Sequence, residues 1–238
     1  MQYFLIMLML MAESLYAGGV EGKKQLLFST FEHSYLSKIS EAILTQAYTE
    51  LGYSVKYIEL PAERGLIEVN KGGTDGETHR KSGLIADGYP NLVQIPVKIT
   101  WTNLNAFASR KDIKINGWDS LQNYNFGILN GQKIIEHKTK NLKNRTVFNT
   151  QEQGIKAVGD GHFDLFVLPE LSGLNILKNS PYKNKVTLVD PPIDTVELFH
   201  YLGKKNKNIV PLITTKLQEL EKKGVIDSIN KKFAAEIK

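Results

Sequence analysis

Hydrophobic positions along the chain fall into blocks whose period switches between that of a strand and that of a helix. Residues 24–31 form a short apolar run with a polar exit and predict a buried strand. Across 35–51 the apolar positions Leu36, Ile39, Ile43, Ala47 and Leu51 step by 3, 4, 4 and 4. That is one face of a helix, ended by Gly52. Residues 53–60 alternate and predict a second strand. Pro61 suits a first helical position, where its missing N–H is no loss, and Gly72-Gly73 supplies a left-handed stop, so 61–72 predicts a short helix. A strand over 74–80 follows and ends on Arg80. The order βαβαβ with short loops predicts a parallel sheet with helices on its faces.

The second half repeats this logic. Residues 91–109 are β-rich, and Pro96 argues for an edge position. Trp101, Asn103 and Asn105 alternate along that stretch and share one face. Residues 124–131 predict a strand running into a tight turn, with a helix from Gln132. Thr150 and Gln153 fit a capping box, opening a helix that carries Ile155, Ala157 and Val158 and stops at 159–161. A buried strand over 163–168 places Pro169 and Glu170 at its carboxyl end. Residues 186–192 and 196–202 are extended and separated by turn chemistry at Pro191-Pro192. An amphipathic helix at 211–223, with Leu212, Ile213, Leu217 and Leu220 inward, and a last helix at 225–233 complete the chain. Two similar α/β lobes are expected.

Composition narrows the function. The chain has 238 residues, 42% hydrophobic and 23% charged, ordinary for a soluble globular protein. It has no cysteine, which excludes a disulfide framework, a thiolate metal site and a lipid-anchoring cysteine. The apolar run at residues 3–12 is too short to span a bilayer, and small residues follow at 17–19, so 1–19 reads as a signal peptide. An uncleaved anchor is the rival reading. Glu13 is the one charge in that segment, so its removal takes the net charge from +5 to +6. This modest basic excess favours an anionic ligand or surface. It is not gathered into a basic block interleaved with aromatics, so no nucleic acid is expected. The five histidines are scattered with no His-x-x-x-His pair, and no nucleophile elbow or phosphate loop is present. No metal, cofactor or catalytic residue is therefore expected.

Ligands of parallel α/β sheets sit beyond the carboxyl ends of the strands. Phe31-Glu32-His33 and Thr78-His79-Arg80 fall at such ends. Arg64, Glu77 and Arg80 lie at or near element ends, as a binding edge or, alternatively, as a solvated ion cluster. Trp101 forms either an aromatic cleft wall or a half-buried packing residue. Backbone N–H groups of residues 131–133 would favour an anion at the start of their helix. The run Pro61-x-x-Arg64-x-Leu66…Gly72-x-x-Asp75-Gly76-Glu77-x-x-Arg80 resembles a divergent branch of the family 3 periplasmic solute-binding proteins, and the resemblance covers nearly the whole chain after residue 19.

That resemblance implies the two-lobed type II periplasmic-binding-protein fold, each lobe a central, mostly parallel sheet flanked by helices. Residues 20–102 and 196–238 would form the first lobe and 103–195 the second, with 117–121 opening it and two hinge strands joining them. It further implies a periplasmic, monomeric protein that closes on a small polar, carboxylate-bearing, amino-acid-like ligand, for uptake with an ABC-type permease. In amino-acid binders an arginine of the first lobe pairs with the ligand carboxylate. Arg80 matches best, through a bidentate fork, with Arg64 as a second candidate and Glu77 for a ligand ammonium. Phe31, Glu32, Trp101 and Asn103 would line the same side, and Asn130, Gly131, Thr150 and Glu170 would complete the site across the cleft. The sequence departs from the pattern in reaching Arg80 only five residues after Asp75, which bears on the ligand more than on the fold. Two alternatives stay open: a sensor subunit serving a membrane receptor without transport, and a small dehydratase-like enzyme using Glu77 or Glu170 as acid–base.

Overall fold

The computed structural model describes residues 24–237; the expected signal peptide lies outside them. Among these, β1 (Gln25–Phe31), α1 (Tyr35–Glu50), β2 (Ser54–Leu60), α2 (Ala62–Lys71) and β3 (Gly76–Arg80) form the first βαβαβ unit. Strand β4 (Leu92–Ala108) then leads through a 3-10 turn at Trp118–Asn123 into β5 (Phe126–Leu129), α3 (Lys133–Lys138), β6 (Arg145–Phe148), α4 (Gln151–Gly159), β7 (Leu165–Pro169) and α5 (Glu170–Lys178). Strand β8 (Thr187–Gly203), a second 3-10 turn at Lys204–Ile209, α6 (Val210–Lys222) and α7 (Val225–Ile237) close the fold.

All eight strands join one sheet in the order β2-β1-β3-β8-β4-β7-β5-β6. Strands β2-β1-β3 are parallel, as are β7-β5-β6, and these two ends make the two lobes. The long strands β4 and β8 run antiparallel between them. The expected boundaries fall inside these two strands at paired positions, Thr102 opposite Val196 and Asn103 opposite Thr195. Along its first part β4 pairs with β8 alone, because β7 joins only from Leu104 onward, so Pro96 does sit on an open edge.

The predicted apolar face of α1 is buried: Leu36, Ile39, Ile43 and Ala47 pack in one cluster with Leu26 and Phe28 of β1 and with Ile213, Leu217 and Leu220 of α6. Each leucine, isoleucine or phenylalanine of this cluster removed from water contributes about 1.5–3 kcal/mol. Leu212 departs from expectation and lies exposed. The second lobe has its own cluster, in which Ile155 and Val158 of α4 meet Phe107, Phe166 and Leu168. Gly72 stops α2 in the left-handed region at φ 82°, and Pro61 caps that helix from one position earlier than expected. The Thr150–Gln153 capping box forms with both reciprocal bonds.

Three elements differ from the sequence reading. Pro191-Pro192 makes no turn: β8 continues, and Asp190 to Ile193 bulge out opposite Asn105, whose amide donates to the Val189 carbonyl at 3.2 Å. Strand β6 is an added, half-exposed edge with no alternation to reveal it. Helix α5 follows Pro169 directly; the three-residue spacing of Leu171, Leu174 and Leu177 was its signal.

Candidate ligand cleft

The cleft lies between the lobes at the carboxyl ends of β1 and β3. The first lobe supplies Phe31, His79 and Arg80, and the other lobe supplies Gly131 and Pro169, around a half-open space of about 50 Å³. That space shares Phe31, Ser34 and Gln132 with a wider cavity of about 340 Å³ bordered by Glu32, Glu63, Asn130 and Thr150.

Arg80 is the buried centre of the first-lobe wall, at 4% exposure. Successive strand residues normally point to opposite faces. Here the β3–β8 register shifts between Glu77 and Arg80, and both His79 and Arg80 line the cavity. Arg80 Nε donates to Glu77 Oε1 at 2.9 Å, and Nη2 donates to the Ala62 carbonyl at 2.6 Å while lying 2.7 Å from the same carboxylate oxygen. The guanidinium carbon sits 3.6 Å from the Phe31 ring centroid, a cation–π stack. Ser29 donates its hydroxyl to the other Glu77 oxygen. Burial pushes the Glu77 carboxyl above its usual range, opposed by the Arg80 charge and the Ser29 bond. Gly65 lets α2 pass close over the pair, since a Cβ there would lie 2.9 Å from Glu77 Oε2 and 3.2 Å from Arg80 Nη2.

This arrangement corrects several expectations. Glu77 is fully buried and committed to Arg80 and Ser29, so it does not reach a ligand ammonium. Glu77 also occupies the Nε edge of Arg80, so the expected bidentate fork is already used. Among the described residues, Nη1 alone of its three nitrogens has no partner. Arg64 has a side chain 63% exposed and pairs with Glu68 at 2.6 Å, one turn along the solvent face of α2. Trp101 is 41% exposed and borders a surface hollow with Ile226 and Asp227, away from the cleft. Phe31 is the aromatic wall instead. Asn103 and Glu170 meet each other, Nδ2 to Oε2 at 2.8 Å, and Asn103 also accepts from Thr195 at 2.8 Å; neither borders the two cleft cavities. Phe31, Glu32, Asn130, Gly131 and Thr150 do.

The second lobe meets the first through charges and backbone. Gly131 N–H donates to Glu136 Oε1 at 2.6 Å, so the anion expected at this helix start is the protein's own carboxylate. Gly131 has φ 82°, and a Cβ there would run into the backbone of Ala62 and Glu63. Lys133 bridges the lobes, 2.5 Å from Glu63 and 3.1 Å from Glu136, and the Tyr89 hydroxyl also donates to Glu63. Burial disfavours the charges on both Lys133 and Glu63, but their mutual bond, the further bonds to Glu136 and Tyr89 and the opposite charges together outweigh it, raising the Lys133 pKa and lowering that of Glu63. Sequence reasoning missed Glu63 and Lys133, because a surface ion pair and a cleft ion pair look alike in one dimension. His79 lies 5.2 Å from the Phe31 ring, and burial followed by the Arg80 charge depresses its pKa to about 3. Among the described residues no group of histidines and carboxylates is placed to hold a metal ion.

The long paired strands, the parallel lobe sheets and the cleft between them define the two-lobed type II periplasmic-binding-protein fold. The solved structures agree. A histidine kinase sensor domain with similarity to periplasmic binding proteins superposes with a TM-score of 0.75 at 13% identity, covering 89% of this chain and 96% of that one. An amino acid ABC transporter substrate-binding protein, AbpA from Streptococcus pneumoniae bound to L-arginine, superposes with a TM-score of 0.70 at 14% identity, covering 90% and 96%. By sequence, an uncharacterized protein of Shewanella oneidensis is 25% identical over 218 residues, 87% of this chain and 81% of that protein. No family model matches.

Proposed function

We propose that the protein is an extracytoplasmic solute-binding protein that captures a small polar ligand between its lobes. The observation that carries this reading is Arg80: a guanidinium buried at 4% exposure, stacked on Phe31, with Nη1 unpartnered at the interlobe cavity. That nitrogen is free to donate to an incoming carboxylate or carbonyl oxygen. The ligand is held by the N–H groups of Nη1 alone rather than by a fork spanning two nitrogens. An amino-acid-like ligand is supported by the likeness to the arginine-bound substrate-binding protein. Capture is by hinge motion, which we place at the Thr102–Val196 and Asn103–Thr195 pairs of the two crossing strands.

A thermal-shift screen against amino acids, small carboxylates and short peptides tests the reading. A compound at about a hundred times its dissociation constant adds roughly 2.7 kcal/mol to the folded state, and Arg80→Lys, which keeps the charge but loses the planar donor set, should abolish the shift. Cooperative melting that no compound moves would overturn it. The likeness to the kinase sensor domain favours a second reading, in which the closed lobes report to a membrane receptor rather than to a permease. Purification from membranes with the ligand bound separates the two by the partner retained.

A further inference from the structure

A second nitrogen without a partner among the described residues belongs to a side chain that lines the same cavity. His79, 1% exposed, borders the cavity beside Arg80, and its Nε2 makes no bond within the protein. What its other nitrogen does follows from a chain of hydroxyls. Thr78 donates its proton to Thr30 Oγ1 at 3.0 Å. A hydroxyl has one proton, so Thr78 Oγ1, 3.3 Å from His79 Nδ1, can only accept there. Nδ1 therefore carries the imidazole proton, and Nε2 keeps a bare lone pair on a side chain that lines the cleft.

Resting on the reading of the cleft as a solute site, we propose that His79 Nε2 is a ligand-binding acceptor, held in that tautomer by the Thr78–Thr30 hydroxyl pair. With Arg80 Nη1 beside it as a donor, the wall selects ligands that pair an acceptor oxygen with an adjacent N–H or O–H. Amino acids, 2-hydroxy acids and primary carboxamides carry that pair; a plain monocarboxylate does not, and would leave Nε2 unpaired or facing a carboxylate oxygen. Burial and the neighbouring Arg80 charge keep the ring neutral, so it does not turn into a donor at neutral pH. The bulge between Glu77 and Arg80 is what allows adjacent residues to present opposite hydrogen-bonding roles to one space.

Two measurements test this. The first needs no ligand: 15N NMR of the histidine side chains at pH 7, with the His79 signals assigned by their loss in His79→Gln. Protonated Nδ1 with unprotonated Nε2 is expected, and Thr78→Val should move the ring toward the Nε2–H form. An Nε2–H tautomer or an imidazolium in the wild-type protein would overturn the inference. The second compares alanine, lactate and propionate, which share a carboxylate and differ in carrying an ammonium, a hydroxyl or neither. Alanine or lactate should bind at least about tenfold more tightly than propionate, equivalent to about 1.4 kcal/mol. The gap should close in His79→Phe and persist in His79→Gln, whose carbonyl can stand where Nε2 stood. Equal binding of propionate in the wild type overturns the selectivity, as does binding of none of the three. Failure of the whole compound screen overturns the solute-site reading separately, while the tautomer measurement still decides the hydroxyl chain.

Discussion

At the scale of single residues, the molecule is governed by buried charges that are matched before any ligand arrives. Glu77 and Arg80 compensate each other beneath the cleft at 0% and 4% side-chain exposure. Removing one partner of such a pair strands the other in a low dielectric. Glu77→Gln is therefore expected to cost about 3–5 kcal/mol, read as a fall in the urea midpoint at unchanged m-value. A loss below about 1 kcal/mol would mean that the pair is solvated. Histidines set the acid side of the stability curve. His200 donates Nδ1–H to the Glu77 carbonyl at 2.8 Å and accepts from the Tyr48 hydroxyl at 2.9 Å. Burial depresses its pKa to about 4, as it depresses that of His79 to about 3. Both values lie below the ordinary 6.5, so as pH falls the unfolded chain takes up protons that the folded chain refuses. Their contribution is complete above about pH 6.5 and declines progressively as pH falls toward 4. Urea titrations between pH 7 and 4.5 should show that decline, shallower by about one proton in His79→Gln; parallel slopes would mean that His79 is protonated when folded.

Elements carry the site through their ends. The helix α2 start, the β3 bulge and the Gly131 turn each bring backbone close to the cleft. Gly131 matters for two separate reasons, its φ of 82° and the lack of room against Ala62 and Glu63. Gly131→Ala should thus weaken ligand binding by more than its roughly 1 kcal/mol backbone cost, because the added carbon holds the lobes apart; equal losses in stability and in affinity would assign the effect to the turn alone. Legibility in the sequence followed element type. The amphipathic α1, the left-handed stop at Gly72 and the Thr150 capping box depend on local spacing and were readable. Strand β6, paired only with β5 at the sheet's edge, and the unbroken β8 through Pro191-Pro192 depend on partners distant in sequence. Of the candidate site, Arg80, Phe31 and Gly131 were legible from their positions at strand ends. Arg64 and Trp101 were not distinguishable from cleft residues until the faces of α2 and β4 were known.

The contacts that join the lobes include the Glu63–Lys133 bridge, the Gly131 backbone approach, a Ser34–Ser172 hydroxyl contact of 3.3 Å and a Lys178 Nζ bond to the Glu236 carbonyl at 3.5 Å. Lys133→Met removes the ionic part and leaves Glu136 and Glu63 facing each other without a cation. Small-angle scattering should record a larger radius of gyration for this variant without ligand, reversed by a compound that binds. An unchanged radius would place closure on the remaining contacts, Gly131 among them, instead. Since half-buried charges are less screened than exposed ones, the wild-type radius should change little between low and moderate salt.

The sequence by itself determined the succession of strands and helices, the two-fold repetition of an α/β unit and the placement of Arg80 at a strand end, because each depends on hydrophobic period and turn chemistry within a few residues. Only the tertiary structure decided which charges face a ligand and which face each other. Glu77 sits three residues before Arg80 and Glu63 seventy residues before Lys133, yet both carboxylates end as counterions, and His79 becomes an acceptor through hydroxyls on two strands. Pairing of that kind is a property of distances across the sheet and the cleft, and side-chain charge alone does not encode it.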